Sequence, residues 1–223
     1  MLASASRAFS EIFTPPFRPV LLKTLGITLA FLVVLWLGVQ AALAHWVHLP
    51  YGWLETILSI LTGIGLVIGL GFLAAPVSAA VAGLFQDEIA GTVERIDYPH
   101  DAPGHDIPMM LGLWHTVKFT GVVILGNILA LLLLLVPIVN VAAFFVVNGY
   151  LLGREYFEAA AMRFHSEEET KRLRRANSIP IFMAGLVIAG VLAVPILNLV
   201  TPMFATAFMV HLHKRIIAGN QVM

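Results

Sequence analysis

The chain contains 223 residues, of which 59% are apolar and 12% charged, and its formal net charge is zero. The mean hydropathy of +0.91 is too high for a soluble domain of this length and indicates an integral membrane protein. The balanced charge argues against a nucleic-acid-binding surface, and the lack of cysteine in the sequence excludes disulfides and thiolate metal sites.

Two apolar segments near the N-terminus are predicted to cross the membrane. They cover residues 24–47 and 57–85, and each is long enough for the roughly 20-residue helix that a bilayer requires. The loop between them contains Trp46, Tyr51 and Trp53 but no Lys or Arg, a composition that suits the membrane–water interface. The second segment contains Pro76 and is longer than one crossing needs.

A pentapeptide occurs twice within apolar sequence, as Val-Pro-Ile-Val-Asn at 136–140 and as Val-Pro-Ile-Leu-Asn at 194–198. Proline removes a backbone donor and asparagine tolerates turns, so each copy is predicted to break a helix. The apolar runs before the breaks reach only about 24 Å as helices, less than the roughly 30 Å hydrocarbon core. We therefore predict two re-entrant helical hairpins, over residues 119–153 and 179–212. Two long helices kinked at proline are the alternative.

The distribution of basic residues supports the hairpins. If the first two segments cross the membrane and the hairpins do not, all 13 Lys and Arg residues fall on one side. The positive-inside rule then places both termini in the cytoplasm. Residues 154–177, which contain acid–base pairs four residues apart, are predicted to form an interfacial helix on that side. The predicted fold is thus a single all-α membrane domain that contacts lipid.

A search for catalytic chemistry yields little. The sequence has no P-loop and no recognisable pairing of a nucleophile with a base, so we expect neither an enzyme nor a cofactor. His211 and His213 lie two residues apart and would point to different sides of a helix. No metal site is expected.

A proline-rich segment before the first span is the best candidate for handling an anion. Pro15, Pro16 and Pro19 surround Arg18, and proline can begin a helix whose first amide donors remain free. Free amides and an arginine suit an oxyanion, with Thr14, Phe17 and Arg18 as candidate ligands. The alternative is a positively charged anchor at the start of a helix.

Further polar residues flank or interrupt the apolar segments. Charged residues at the cytoplasmic mouth could form a gate or a solvated rim of salt bridges, and amides at the breaks could line a path or satisfy broken backbone. The gate candidates are Glu88, Arg95, Arg154 and Glu155, and the path candidates are Asn140, Asn148 and Asn198.

Several motifs, in one order along nearly the whole chain, resemble those of a known family. They are Thr-Pro-Pro-Phe-Arg at 14–18, Ala-Ala-Pro at 74–76, Asp-Glu-Ile at 87–89, Val-Glu at 93–94 and the segment 194–205. Together they resemble the CysZ family of bacterial sulfate permeases. The resemblance implies an inner-membrane homo-oligomer with two spanning helices and two half-penetrating hairpins, which takes up sulfate for cysteine synthesis.

Two departures from the family pattern are visible. The family's N-terminal sulfate loop reads Gly-Leu-Arg followed by another basic residue, whereas here Pro16, Phe17, Arg18 and Pro19 replace it. The acidic-tyrosine-proline segment expected after the first hairpin is missing from that place. The resemblance implies a sulfate permease, and the alternatives are a permease for sulfite, thiosulfate or another oxyanion and a non-transporting membrane scaffold.

Overall fold

The computed structural model describes residues 2–46, 52–107 and 137–220. Within these ranges the secondary structure is entirely helical, which confirms the all-α class. The helices are α1 (Leu2–Glu11), α2 (Arg18–Trp46), α3 (Gly52–Leu84), α4 (Gln86–Asp97), α5 (Pro137–Met162), α6 (Glu167–Ala176), α7 (Ser178–Leu192), α8 (Pro195–Asn198) and α9 (Thr201–Asn220).

Helices α2 and α3 contain the two predicted membrane spans. Arg18–Ala42 and Gly52–Leu70 are each long and apolar enough to cross a bilayer. Large side chains on them, such as Val34 and Leu61, are more than half exposed and suit contact with lipid. Helix α2 begins at Arg18, earlier than predicted, because Pro19 fits the first turn of a helix.

Helix α9 lies at the centre of the folded chain. Every residue from 201 to 213 is buried, and α9 packs against α1, α4, α5 and α7. Phe204 and Phe208 stack with their ring centroids 5.5 Å apart and contribute to this core. An apolar helix that is buried on all sides is stabilised by protein contacts rather than by lipid.

The backbones of helices α5 and α7 approach each other closely at three glycines, Gly149, Gly153 and Gly185. A methyl group added to Gly153 would lie 2.6 Å from the carbonyl oxygen of Ile181. One added to Gly185 would overlap the carbonyl oxygen of Gly149 and lie 2.7 Å from the amide nitrogen of Gly153. The spacing of Gly149 and Gly153 is the GxxxG pattern with which membrane helices approach one another.

The second Pro/Asn pentapeptide interrupts the helices. Helix α7 ends at Leu192, Val194 has extended backbone angles, and α8 begins at Pro195 before α9 begins at Thr201. Helix α7 has 15 residues, about 22 Å, which is too short for a full crossing. The first pentapeptide marks the start of α5 at Pro137, but the preceding arm of that predicted hairpin lies outside the described residues. That either hairpin is re-entrant stays a prediction.

The segment 154–177 differs from the single helix predicted there. Helix α5 continues through Arg154 to Met162, and a separate helix, α6, begins after Ser166. The Ser166 hydroxyl accepts a hydrogen bond from the Glu169 amide, while the Glu169 carboxylate accepts one from the Ser166 amide. This capping box starts α6 independently of α5. Helices α6 and α7 then meet at 89°.

Candidate functional site

Charged side chains gather where α1, α4 and α9 meet the chain between α5 and α6. They form two groups, which we call the Arg163 cluster and the His211 cluster. The Arg163 cluster contains Arg163, Glu94, Asp87 and Asp106. The His211 cluster contains His211, Glu11, Asp97, Arg7 and Tyr98.

Arg163 is the centre of the first cluster, and its side chain is only 4% exposed. Its guanidinium donates to both carboxylate oxygens of Glu94, at 2.8 and 3.2 Å, and also contacts Asp87 and Asp106. The segment that follows α4 is attached to the same ion pair, because the Gly104 amide donates a hydrogen bond to Glu94 at 3.0 Å. A bidentate arginine–carboxylate pair of this kind fixes orientation as well as charge. The Arg163 cluster therefore joins α4 to the end of α5.

His211 holds together the second cluster. Its Nε2 lies 2.8 Å from Oε2 of Glu11, and its Nδ1 lies 2.9 Å from the Tyr98 hydroxyl. Arg7 donates to Glu11 at 2.8 Å and also contacts Asp97. This arrangement links α1, α4 and α9 through a single imidazole.

The two carboxyl groups of the His211 cluster have opposite pKa shifts. Burial would raise the pKa of Glu11, but hydrogen bonds from His211 and Arg7 outweigh it and lower the pKa. Burial, then the neighbouring Glu11 carboxylate, raises the pKa of Asp97. A shared site with one carboxyl pKa lowered and one raised favours charge on Glu11.

The same three helices place a possible metal-ligand set together. Donor atoms of Glu11, Asp97 and His211 all lie within 4.8 Å of one another, and two carboxylates with one imidazole suit a divalent cation. Arg7 already contacts both carboxylates and supplies positive charge there. The guanidinium of Arg7 thus offsets negative charge on these carboxyl groups without a bound metal ion.

A cavity of about 290 Å³ opens beside the His211 cluster, and we call it the basic pocket. It lies between α1 and α9 and receives three cationic side chains, from Arg7, Lys214 and Arg215. The remaining lining residues are Ala3, Ser4, Tyr98, His211 and Ala218. None of these lining residues is acidic.

Beyond the pocket, α9 buries a second histidine in an aromatic environment. His213 stacks on Phe164, with ring centroids 5.3 Å apart, and meets Phe157 and His165 edge-on. Neither of its ring nitrogens has a hydrogen-bond partner among the residues that the structure describes. Burial, together with the charges of His165 and Lys214, lowers the pKa of His213 to about 3. This histidine is therefore neutral at physiological pH.

The predicted oxyanion ligands occupy a tight turn between α1 and α2. The amides of Phe17 and Arg18 both donate to the Thr14 carbonyl, at 3.0 and 3.3 Å. The Thr14 hydroxyl donates to the Glu11 carbonyl at 2.6 Å, and the Phe17 side chain is buried. Arg18 is exposed at the start of α2. Its guanidinium is accordingly the donor that this turn offers to solvent.

The predicted gate residues are distributed over two regions. Glu88 pairs with Lys23 at 2.8 Å, and Arg95 donates to the Thr92 hydroxyl at 3.1 Å. Arg154 lies on α5, where it contacts Glu158 at 3.2 Å. The structure does not bring these residues together as one ring.

Glu155 is the predicted gate residue with a perturbed acidity. Burial, then the charge of Glu158, raises the pKa of its carboxyl to about 7. Glu158 itself is paired with Arg154 and with Arg174, the latter at 2.8 Å. Glu155 can therefore change its charge near neutral pH.

The predicted path residues have local roles in the described structure. The Asn148 amide donates to the Phe144 carbonyl one turn earlier, at 2.9 Å. The Asn198 backbone amide donates to the Val194 carbonyl at 2.9 Å and closes the turn of α8. Asn140 lies in the first turn of α5. Whether any of the three lines an ion path stays a prediction.

The sequence interpretation missed most of the two clusters. The only local signal was the pair of histidines on α9 and the acidic run in α4. The pairing itself joins residues far apart in sequence, such as Arg163 with Glu94 and His211 with Glu11.

Comparison with known proteins settles the family. Residues 4–202 match the family described as Sulfate transporter CysZ/Etoposide-induced protein 2.4. The chain belongs to this family. The resemblance seen in the sequence motifs is thereby confirmed, and the match extends from Ser4 within α1 to Pro202, the second residue of α9. A search of individual curated proteins finds no match.

Proposed function

We propose that this protein is an inner-membrane permease that passes sulfate into the cytoplasm for cysteine biosynthesis. The observation that carries the proposal is membership of a sulfate-transporter family over residues 4–202. The two helices long and apolar enough to span a bilayer support it. The protein is accordingly a transporter and not an enzyme.

The proposed assembly follows the family pattern. Two spanning helices and two re-entrant hairpins form each subunit, both termini lie in the cytoplasm, and several identical subunits assemble in lipid. The basic residues of α6 and of the last part of α9 support this orientation, and they are Lys171, Arg172, Arg174, Arg175, Lys214 and Arg215. The short length of α7 and the break before Pro195 support the second hairpin.

In the proposed mechanism, Arg18 is the first contact for the anion. Its exposed guanidinium offers charged donors, whereas the neighbouring Phe17 and Arg18 amides already bond to Thr14. The anion then exchanges hydration for partial dipoles along broken helices, where Asn140, Asn148 and Asn198 lie. Rearrangement of the pairs made by Glu88, Arg95, Arg154 and Glu155 gates this movement.

The test is flux of labelled sulfate into liposomes that contain the purified protein. Wild type should admit sulfate in preference to chloride and phosphate. Arg18→Ala should lower the apparent sulfate affinity roughly tenfold or more, since a hydrogen bond to a charged group is worth about 1.5 to 3 kcal/mol. Arg18→Lys should give an intermediate value, because it restores charge without the planar fork.

Arg172→Ala provides the matched control, because Arg172 is also exposed but lies on α6. It should leave sulfate flux unchanged. Wild-type flux no greater than that of empty liposomes would contradict the permease and favour a membrane scaffold. Equal flux for Arg18→Ala and wild type would remove Arg18 from the path.

A further inference from the structure

No acidic residue lines the basic pocket between α1 and α9, and two of its cations, Arg7 and Lys214, pair with carboxylates outside the lining. Its lining residues carry three cations, Arg7, Lys214 and Arg215, together with the hydroxyl groups of Ser4 and Tyr98. Both Lys214 and Arg215 lie beyond residue 202, where the family match ends. The pocket is thus an additional polar feature, separate from the turn that contains Arg18.

The cationic side chains of the pocket differ in the contacts that they make with the rest of the chain. Lys214 is fixed, because its ammonium lies 4.1 Å from the Phe164 ring centroid, 5.5 Å from that of Tyr98 and 2.9 Å from Asp101. A cation over two aromatic faces is held in one position with little conformational freedom. Arg215 is exposed and forms no ion pair with the acidic residues of the described ranges. It is free to bind an anion that enters.

Arg7 connects the pocket to the buried acids behind it. Its side chain is 55% exposed, while the Glu11 and Asp97 side chains that it contacts are only 14% and 6% exposed. These carboxylates are shielded and already bonded to Arg7 and His211. Arg7 is thus more exposed than the two carboxylates with which it pairs, and most of its side chain is accessible from the pocket side of the chain.

We propose that the basic pocket binds a tetrahedral oxyanion of the sulfate or phosphate class. Arg215 supplies a charge that is not paired within the described residues, Arg7 and Lys214 supply N–H donors beyond those in their ion pairs, and the Ser4 hydroxyl supplies a further donor. Charged hydrogen bonds to an oxyanion are the strong class of hydrogen bond, and arginine can make two in parallel. The identity of sulfate as the natural ligand rests on the proposed function. The same chemistry also fits the phosphate of a lipid headgroup.

The test is equilibrium binding of labelled sulfate to the full-length protein in neutral detergent, with inorganic phosphate as competitor. The double variant Lys214→Gln with Arg215→Gln should weaken binding at least tenfold, since two charged donors are lost. Arg215→Lys should retain most of the affinity. Arg175→Gln on α6, which removes another exposed arginine outside the pocket, should bind like wild type.

The single variant Arg215→Gln is included because Arg215 is exposed, so that its replacement should not disturb folding. It should weaken binding several-fold in protein whose thermal unfolding matches wild type. Binding unchanged in both variants would overturn the pocket. If the wild type shows sulfate flux at the same time, the permease proposal is supported and only the proposed role of the pocket is rejected. Weakened binding in protein that shows no flux would support the pocket and contradict the permease.

Reconstitution separates the two sources of ligand. Sulfate binding should be compared in vesicles of phosphatidylcholine alone and in vesicles that also contain phosphatidylglycerol. Equal affinity in both supports free sulfate as the occupant. Loss of sulfate binding in the phosphatidylglycerol vesicles, with recovery at high sulfate, supports a lipid phosphate in the same pocket.

Discussion

Gly185 on α7 and Gly69 on α3 lie in apolar helices of one chain, yet their surroundings differ completely. A methyl group on Gly185 would overlap the backbone of α5, whereas one on Gly69 would meet no atom within 4 Å. Helix α7 belongs to the part of the chain in which helices pack against one another, whereas α3 exposes large apolar side chains that suit contact with lipid. Both α3 and α7 are strongly apolar, so composition alone does not reveal which contacts a helix makes.

The largest effect should come from the part of the chain in which helices pack against one another. Arg163→Ala removes the partner of Glu94, whose side chain is 6% exposed, and leaves a buried carboxylate without its cation. Breaking a buried pair in this way costs about 3 to 5 kcal/mol. The free energy of unfolding, measured by denaturant titration in detergent, should fall by that amount.

Arg95→Ala is the control for that prediction. Arg95 is an exposed arginine whose side chain, like that of Arg163, lies near Gly91, and it donates to the Thr92 hydroxyl. Its loss should change stability by less than about 1 kcal/mol, as surface substitutions generally do. Similar losses in the two variants would mean that the Arg163 cluster is not the buried tie between α4 and α5.

A second comparison uses the two glycines directly. Gly185→Ala should destabilise the protein by about 1 to 3 kcal/mol or more, because overpacking forces the helices apart. Gly69→Ala should be neutral or slightly stabilising, because alanine favours helix and finds open space. Thermal unfolding of both variants in one detergent gives the comparison. A Gly185→Ala variant as stable as Gly69→Ala would show that α5 and α7 are not in backbone contact.

The smallest effect should appear as a dependence on pH. The pKa of His213 is about 3 in the folded chain and about 6.5 when unfolded, so the unfolded state binds the extra proton as pH falls below 6.5. Stability should be fully present above pH 6.5 and decline as the pH falls from 6.5 to 5. Each pH unit in that range costs about 1.4 kcal/mol, so the loss at pH 5 is about 2 kcal/mol.

His213→Leu should remove this slope between pH 6.5 and 5, while His100→Gln, a change at an exposed histidine, should keep it. Denaturant titrations at several pH values measure both. A slope that persists in His213→Leu would assign the acid sensitivity to another group.

The sequence predicts features that depend on local chemistry. Runs of apolar residues identify α2 and α3, and proline at 195 marks the break before α8, because these signals lie in neighbouring residues. The continuation of α5 through Arg154 was missed, since the residues there suit either a surface helix or a longer one. Helix ends are decided by capping, and Ser166 with Glu169 supplies the cap twelve residues later.

The candidate site is less accessible to such reasoning. Glu11 and His211 are 200 residues apart, and no periodicity relates them. The Arg18 turn illustrates a subtler difficulty, because its prolines suggested free amides that the folded turn binds to Thr14. Which donors remain free depends on tertiary geometry as well as on residue type.

The contact between Gly149, Gly153 and Gly185 has a mechanical consequence for any transport cycle. Side chains at most helix interfaces can change rotamer and let two helices shift, but here backbone meets backbone and no rotamer is available to adjust. We therefore expect helices α5 and α7 to move together as one rigid unit. Motion within this part of the chain is confined to its margins, at the interruption between α7 and α9 and at the 89° corner between α6 and α7.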